Sequence, residues 1–430
     1  MYLHTYLLGM NNGIDICAHA AQVCWDSALP KDRQGMAEYV GRRAKTGHTS
    51  VMEHSNLVAM LTMDDDYDDD LIEFLSVNNY LHTAYGCGEF FRYLIIGGSW
   101  RAYSDIFLTA TKEQLEDNLV IKAIRQFVTR YIPKYGFMDL IEAGVLSEAE
   151  FDANWDPIGY DDMVQQFNKV RNVAMEDFVV VSADSYDALR KNILDAIHQT
   201  DDGGNDSELF TNRDLMKFLT CTIDFLGASR TATHQIVRHR NGITQQSMRY
   251  VNYADAPFAA PYEFKPDRYD KDHKYPFEFG GQHFEMTQDE LGKALCGIYA
   301  YLQDKDANGD NYMINEDARA FLPQNVECGH LYMTFNFYSM AKFLQLREDR
   351  HAQAEIRKFA TEIGYWFRNH VFDVDEAYTT DGCFLVGCED KVDDEGKINP
   401  AIYDLVKATS VDISPFSKSI GDSDQDTTKE

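Results

Sequence analysis

The sequence predicts a protein of mixed helix and strand, and three observations carry that reading. Apolar residues recur at helical spacing in several windows. An unbroken apolar stretch follows a polar loop near the start. The chain is 44% hydrophobic, with 26 Phe and 25 Tyr, which is enough to bury a sizeable core. Residues 30–47 read as a helix opened by Pro30, with Met36, Tyr39, Val40 and Ala44 on one face. GHTSVMEHSNLVAMLTM (47–63) turns from a polar loop into an apolar strand, and DDDYDDD (64–70) reads as a solvated turn. Residues 71–108 are apolar again around the compact turn IIGGSWRAYSD. From about 109 to 212 the chain reads as helical and polar, ending in the breaker-rich DDGGNDSE (201–208). The core resumes with LMKFLTCTIDFLGASR. Helical patterns cover 285–303 and 334–347, and 352–371 gives the clearest helix, with Ile356, Phe359, Ala360, Ile363, Trp366, Phe367 and Val371 in one stripe. The polar tail after about 410 has the composition of a disordered segment.

Composition bounds the function. No stretch approaches the roughly twenty apolar residues of a spanning helix, so no membrane role is expected. The N-terminus lacks the positive region of a signal peptide. Eight cysteines without a CxxC pair read as reduced thiols in a cytoplasm, and the nearest pair, Cys383 and Cys388, sits in a Gly-rich turn. A formal charge of −30 argues against general nucleic-acid binding, which needs an extended basic surface. An anionic substrate would need a local positive field.

Residues 225–254 supply one. At 70 acids in 430 residues, about five would fall in such a window, and it holds none, yet it carries Arg230, Arg238, Arg240 and Arg249. Arginine forks bind phosphate through two parallel hydrogen bonds, and Gln or Ser can read the edge of a polar ring. A nucleotide is the candidate ligand; a solvated basic surface is the alternative. Gln235, His234 and Arg238 share a helix face by spacing, and NGITQQSMRY follows as a loop. RAFLPQN places Arg319 before an apolar segment. In NFYSMAKFLQLREDRHAQAEIR, Arg347 and His351 lie one turn apart, facing either one ligand or, for Arg347, the neighbouring Glu348 and Asp349. HTSVMEH fits no zinc signature, and DKDANGDNYMINE lacks the twelfth-position Glu of a calcium loop, so no metal is expected and a polar turn is the reading for the latter. No GxSxG, P-loop or strand-borne GxGxxG occurs.

In order, these segments resemble flavin-dependent thymidylate synthase. The family signature, an RHR triplet followed by SxRY, stands here as Arg238-His239-Arg240 and Ser247-Met248-Arg249-Tyr250, supported by GHTSVMEH, SRTATHQ, RAFLP and NFYSMAKFLQLREDRHAQAEIR. The resemblance covers roughly 1–63, 223–260 and 315–370. It implies an α/β (α+β) fold with a sheet flanked by helices, built from 1–63 and 213–375, with 64–212 as an insertion or accessory subdomain and 376–430 as a C-terminal extension. It implies a homotetramer with active sites where subunits meet, and small-molecule partners only. It implies that Gln235, Arg238, Gln245, Ser247, Arg249, Arg319 and Arg347 bind dUMP. His54, Arg238, His239, Arg240, Gln245, Asn336, Leu346 and His351 would border FAD. Arg347 and Ser247 would be catalytic, Ser247 as a hydrogen-bonding group because no base is evident beside it. The implied reaction makes dTMP from dUMP, with methylenetetrahydrofolate as carbon donor, NADPH as reductant and FAD carrying hydride.

The chain departs from the family in places. Six residues separate the triplet from Ser247 where seven are usual. Cys24 and Gln22 stand for Ser and Arg, and Tyr338 and Lys342 for Arg and Asn. Two alternatives follow: the same chemistry on dCMP or UMP, or with a hydroxymethyl product, and a catalytically silent nucleotide-binding homologue.

Overall fold

The structure is a computed structural model that describes residues 3–370 apart from 12, 64–74, 76–80, 89–90, 201–208, 211 and 307. The expected turn at 64–70, the breaker at 201–208, Cys383, Cys388 and the tail lie outside the described residues. Met1–Thr361 form one compact unit and Glu362–Glu430 a second.

Two antiparallel sheets organise the first unit. β1 (Leu3–Met10), β2 (Leu57–Met63), β3 (Leu81–Cys87) and β4 (Arg92–Gly98) form a four-stranded sheet in the order β1-β2-β4-β3. β5 (Asn168–Ala174), β6 (Phe178–Asp184), β7 (Thr220–Leu226) and β8 (Gly242–Gln245) belong to the second sheet. β9 (Tyr275–Phe279) and β10 (Gln282–Met286) make a separate hairpin, and β11 (His330–Asn336) returns to the second sheet, whose order is β5-β6-β7-β11-β8. Every residue of β2 is buried, which is why LVAMLTM reads as a continuous apolar run rather than an alternating one.

The helix Gly13–Trp25 is covered on two sides. Ile14, Cys17, Ala18 and Ala21 enter the main core with Leu57, Ala59 and Leu61 of β2, while Ile16 and Ala20 pack with Val181 of β6 and Tyr332 of β11. Its small residues let both sheets approach closely, and its lack of a polar stripe follows from that position. Helix Arg33–Lys45 packs Ala37, Tyr39, Val40 and Ala44 into the same core and is capped by Asp32, whose side chain accepts from the Gly35 N–H. Helix Ala354–His370 buries Ile356, Phe359 and Ala360, with the Phe359 ring edge-on to Phe225 of β7 at 5.7 Å. The mixed α/β class is therefore the observed one. No described helix is long and apolar enough to cross a membrane.

The stretch 109–212, expected to be helical, is helical only in part. It contains β5 and β6, and β6 pairs directly with β7. Phe178 and the β-branched run Val179-Val180-Val181 favour a strand and outweigh the helical pattern around them. Residues 64–212 thus supply strands to both sheets: β3 and β4 to the first, β5 and β6 to the second.

Candidate functional site

Local backbone chemistry sets up the arginine-rich turn. Ser229 caps the helix Arg230–Ile236 by accepting from the Ala232 N–H at 3.1 Å. The helix tightens into a 3₁₀ turn over Val237–His239 and stops at Arg240, whose φ of 53° is left-handed. That conformation costs a non-glycine residue about 1–2 kcal/mol, and such strain concentrates at functional sites. β8 then starts at Gly242, where an added Cβ would lie 2.6 Å from the Glu53 carbonyl oxygen. Only glycine admits that approach.

Arg347 closes the turn from the end of helix Phe337–Arg347. Its Nε donates to His239 Nε2 at 3.0 Å, and Nη2 donates to the Gln235 carbonyl oxygen at 3.4 Å. His239 must therefore accept through Nε2 and carry its proton on Nδ1. Burial and the Arg347 charge lower its pKa to about 4, which keeps the ring neutral, and Phe343 lies edge-on to it at 5.1 Å. Burial and the nearby Arg238 guanidinium both lower the pKa of Arg347. Neither arginine pairs with a carboxylate among the described residues. Gln235 also bonds Gln353 through its side-chain nitrogen. The adjacent Asp349 takes the backbone N–H and Nδ1 of His351, at 2.7 and 2.8 Å, so His351 closes a turn, whereas Arg347 faces the cluster. Leu346 is 47% exposed.

Beside this cluster lies a cleft of about 310 Å³ lined by His239, Arg240 and Asn336 from the expected set, together with Glu53, Lys217 and Lys342. Glu53 is ion-paired with Arg101, and Lys217 with Asp214 at 2.8 Å. The Arg240 side chain has no hydrogen-bond or ion-pair partner among the described residues, and Lys342 sits over the Tyr338 ring at 4.4 Å. The uncompensated charge of the cleft is thus positive. Its location within an acidic chain is what a local anion trap requires. The His54 side chain bonds Thr334, a lining residue of the cleft. It is fully buried, with Nδ1 3.0 Å from Thr334 Oγ1 and Nε2 2.9 Å from Thr244 Oγ1, and burial lowers its pKa to about 3. His48 instead packs edge-on against Trp25, so the two histidines of HTSVMEH do not converge. Sequence reading missed Lys217 and His82 as lining residues; neither belongs to a motif.

The remaining expected residues form a second group. The Gln245 side-chain nitrogen donates to Thr233 Oγ1 at 3.4 Å. Ser247 donates its N–H to the Cys24 carbonyl at 3.2 Å, and its Oγ accepts from the Arg249 N–H, with no base among its partners. Arg249 is ion-paired with Glu316 at 3.0 Å, and Arg319 Nε donates to the Glu316 carbonyl at 3.0 Å. The acid-free window is therefore acid-free only in sequence, because folding brings Glu316 to Arg249. This group adjoins the start of β11, where the Gln246 N–H donates to the His330 carbonyl; the cleft adjoins its end at Asn336. Six residues at ~3.3 Å each separate these ends by about 20 Å.

Residues 211–371 match the family model described as "Thymidylate synthase complementing protein". The chain is similar to the flavin-dependent thymidylate synthase of Nitratidesulfovibrio vulgaris, 31% identical over 146 residues, covering 34% of this chain and 54% of that protein. It is likewise similar to that of Pyrococcus abyssi, 31% identical over 159 residues, covering 36% and 57%. A crystal structure of thymidylate synthase X from Helicobacter pylori with FAD and dUMP is similar at 15% identity and a TM-score of 0.27, over 41% of this chain and 86% of that one. The chain spans about half the length of the curated relatives it matches. Residues 211–371 are thus the part of the chain that is similar to the flavin-dependent thymidylate synthases.

Proposed function

We propose that the protein converts dUMP to dTMP by FAD-dependent reductive methylation, with methylenetetrahydrofolate as carbon donor and NADPH as reductant. One observation carries this reading: Arg238 and Arg347, unpaired with any carboxylate among the described residues, stand together beside a neutral His239 at a positively charged cleft. Six described cysteines are free thiols, which suits a reducing cytoplasm.

The cleft suits the anionic part of FAD. Arg240 offers an uncompensated cation, His239 and Asn336 offer polar edges, and His54 supports the wall from behind Thr334, with Leu346 and His351 on the helix and turn that follow Asn336. At about 310 Å³ it lies at the small end of ligand pockets (~300–1,000 Å³) and would hold only part of the cofactor. When bound, FAD supplies the hydride. The chain's own residues bind and polarise: Gln235, Arg238 and Arg347 hold the pyrimidine, and the two guanidinium groups stabilise negative charge developing on the ring as fixed, already oriented donors. Ser247, Arg249 and Arg319 hold the phosphate, with Gln245 between the two groups. Gln245 reaches the helix that carries Gln235, its side-chain nitrogen donating to Thr233 Oγ1 at 3.4 Å. The family resemblance implies that a partner protomer completes the site, in a homotetramer with its sites between subunits.

Purified protein should show a flavin absorption band, and with NADPH and methylenetetrahydrofolate it should convert dUMP to a product with the mass of dTMP. Conversion of dCMP or UMP alone, or a hydroxymethyl product, would favour the altered-substrate reading that the six-residue spacer motivates. A preparation that gains no band on adding FAD would favour a silent homologue.

A further inference from the structure

Residues outside the family-matched segment reach the cleft. Strand β3 brings His82 to its wall, and the helix Trp100–Thr109 brings Arg101 to Glu53. His82 Nε2 lies 2.9 Å from Asn336 Nδ2. The amide orientation of Asn336 is set independently, because its Oδ1 caps the following helix by accepting from the Ser339 N–H at 2.7 Å. Asn336 Nδ2 is then the donor, and His82 must accept through an unprotonated Nε2. Burial, with a smaller effect of the Lys217 charge, favours that neutral ring. Held at both ends, the Asn336 amide keeps one N–H without a partner among the described residues, at a wall of the cleft.

We propose that His82 is a positioning residue: strand β3, supplied by the 64–212 segment, locks the Asn336 amide so that its remaining N–H serves an acceptor on the cofactor bound in the cleft. The inference rests on the FAD reading above. It gives the extra strands a functional role, since a chain without β3 would leave Asn336 tied only through its cap. An unheld amide rotates and must be reordered on binding, which weakens affinity without altering any direct contact.

The test compares FAD titrations of the full-length wild type, His82→Gln and His82→Phe. Gln offers an amide oxygen near the position of Nε2, whereas Phe fills the volume and offers no acceptor. The expected result is FAD affinity within about threefold of wild type for His82→Gln and a loss of roughly tenfold for His82→Phe, as the removal of a buried partner commonly gives. Rescue by Gln is the outcome that a purely structural role would not produce. Should His82→Phe fail to fold, His82→Ala is titrated in its place and read identically. Equal affinity in wild type and the Phe or Ala variant, or equal loss in both Gln and Phe, overturns the positioning role while the FAD reading stands. Failure of the wild type itself to bind FAD overturns that reading, and this inference with it.

Discussion

Glu316 is the residue whose removal should strengthen dUMP binding if Arg249 holds the phosphate. Its carboxylate holds Arg249 at 3.0 Å, and the two side chains are 44% and 48% exposed. An ion pair that open to solvent is worth about 0–1 kcal/mol. A nucleotide phosphate arriving at Arg249 must displace this carboxylate and bind beside its negative charge. Glu316→Gln keeps the shape and removes the charge, so dUMP affinity should rise by up to roughly fivefold, the equivalent of about 1 kcal/mol. The gain should be larger at low salt, where exposed charges are less screened. Global stability should change by less than about 1 kcal/mol. Titration calorimetry with dUMP at low and high salt measures the effect. Unchanged or weaker dUMP binding by a folded Glu316→Gln protein would refute the assignment of Arg249 to phosphate.

Arg240→Gly should raise thermal stability, by up to about 1–2 kcal/mol from the relieved left-handed backbone, and weaken FAD binding roughly tenfold; loss of stability with FAD binding unchanged would contradict both halves of that assignment. Stability should also fall in acid. His54, His82 and His239 have folded pKa values lowered to about 3, 4 and 4, while an unfolded histidine titrates near 6.5. The unfolded chain therefore binds more protons below about pH 6.5, and the stabilisation these groups give is complete above that value and declines as pH drops towards about 4. For the fully buried His54 the slope approaches about 1.4 kcal/mol per pH unit. Urea midpoints that do not move between about pH 6.5 and pH 5 would count against the neutral buried rings.

Local chemistry was readable from the sequence; pairing across the fold was not. The stripe of Ile356, Phe359 and Ala360 announces its helix because one face is buried. That Arg347 meets His239 was accessible only through the family resemblance, since 108 residues separate them and no periodicity links them. Glu316 was invisible as a partner of Arg249 because a window scan sees neighbours in sequence, and this pair is 67 residues apart. β5 was missed because NKVRNVA is half-exposed and polar, which leaves no apolar alternation to read. β6 carried a legible signal in its valine run, masked by the helices on either side. His82 belongs to no motif, and only the register that places β3 beside β4 brings it to the cleft.

Subunit mixing tests the central claim most directly. Arg347→Ala and Arg249→Ala each remove one group from the nucleotide, and each protein alone should lack dTMP formation. If the two groups come from different protomers, co-assembled oligomers of the two variants contain some sites with both arginines, and activity should return on mixing. Mixed oligomers that form yet stay inactive, against an active wild type, would mean that one chain binds the nucleotide by itself.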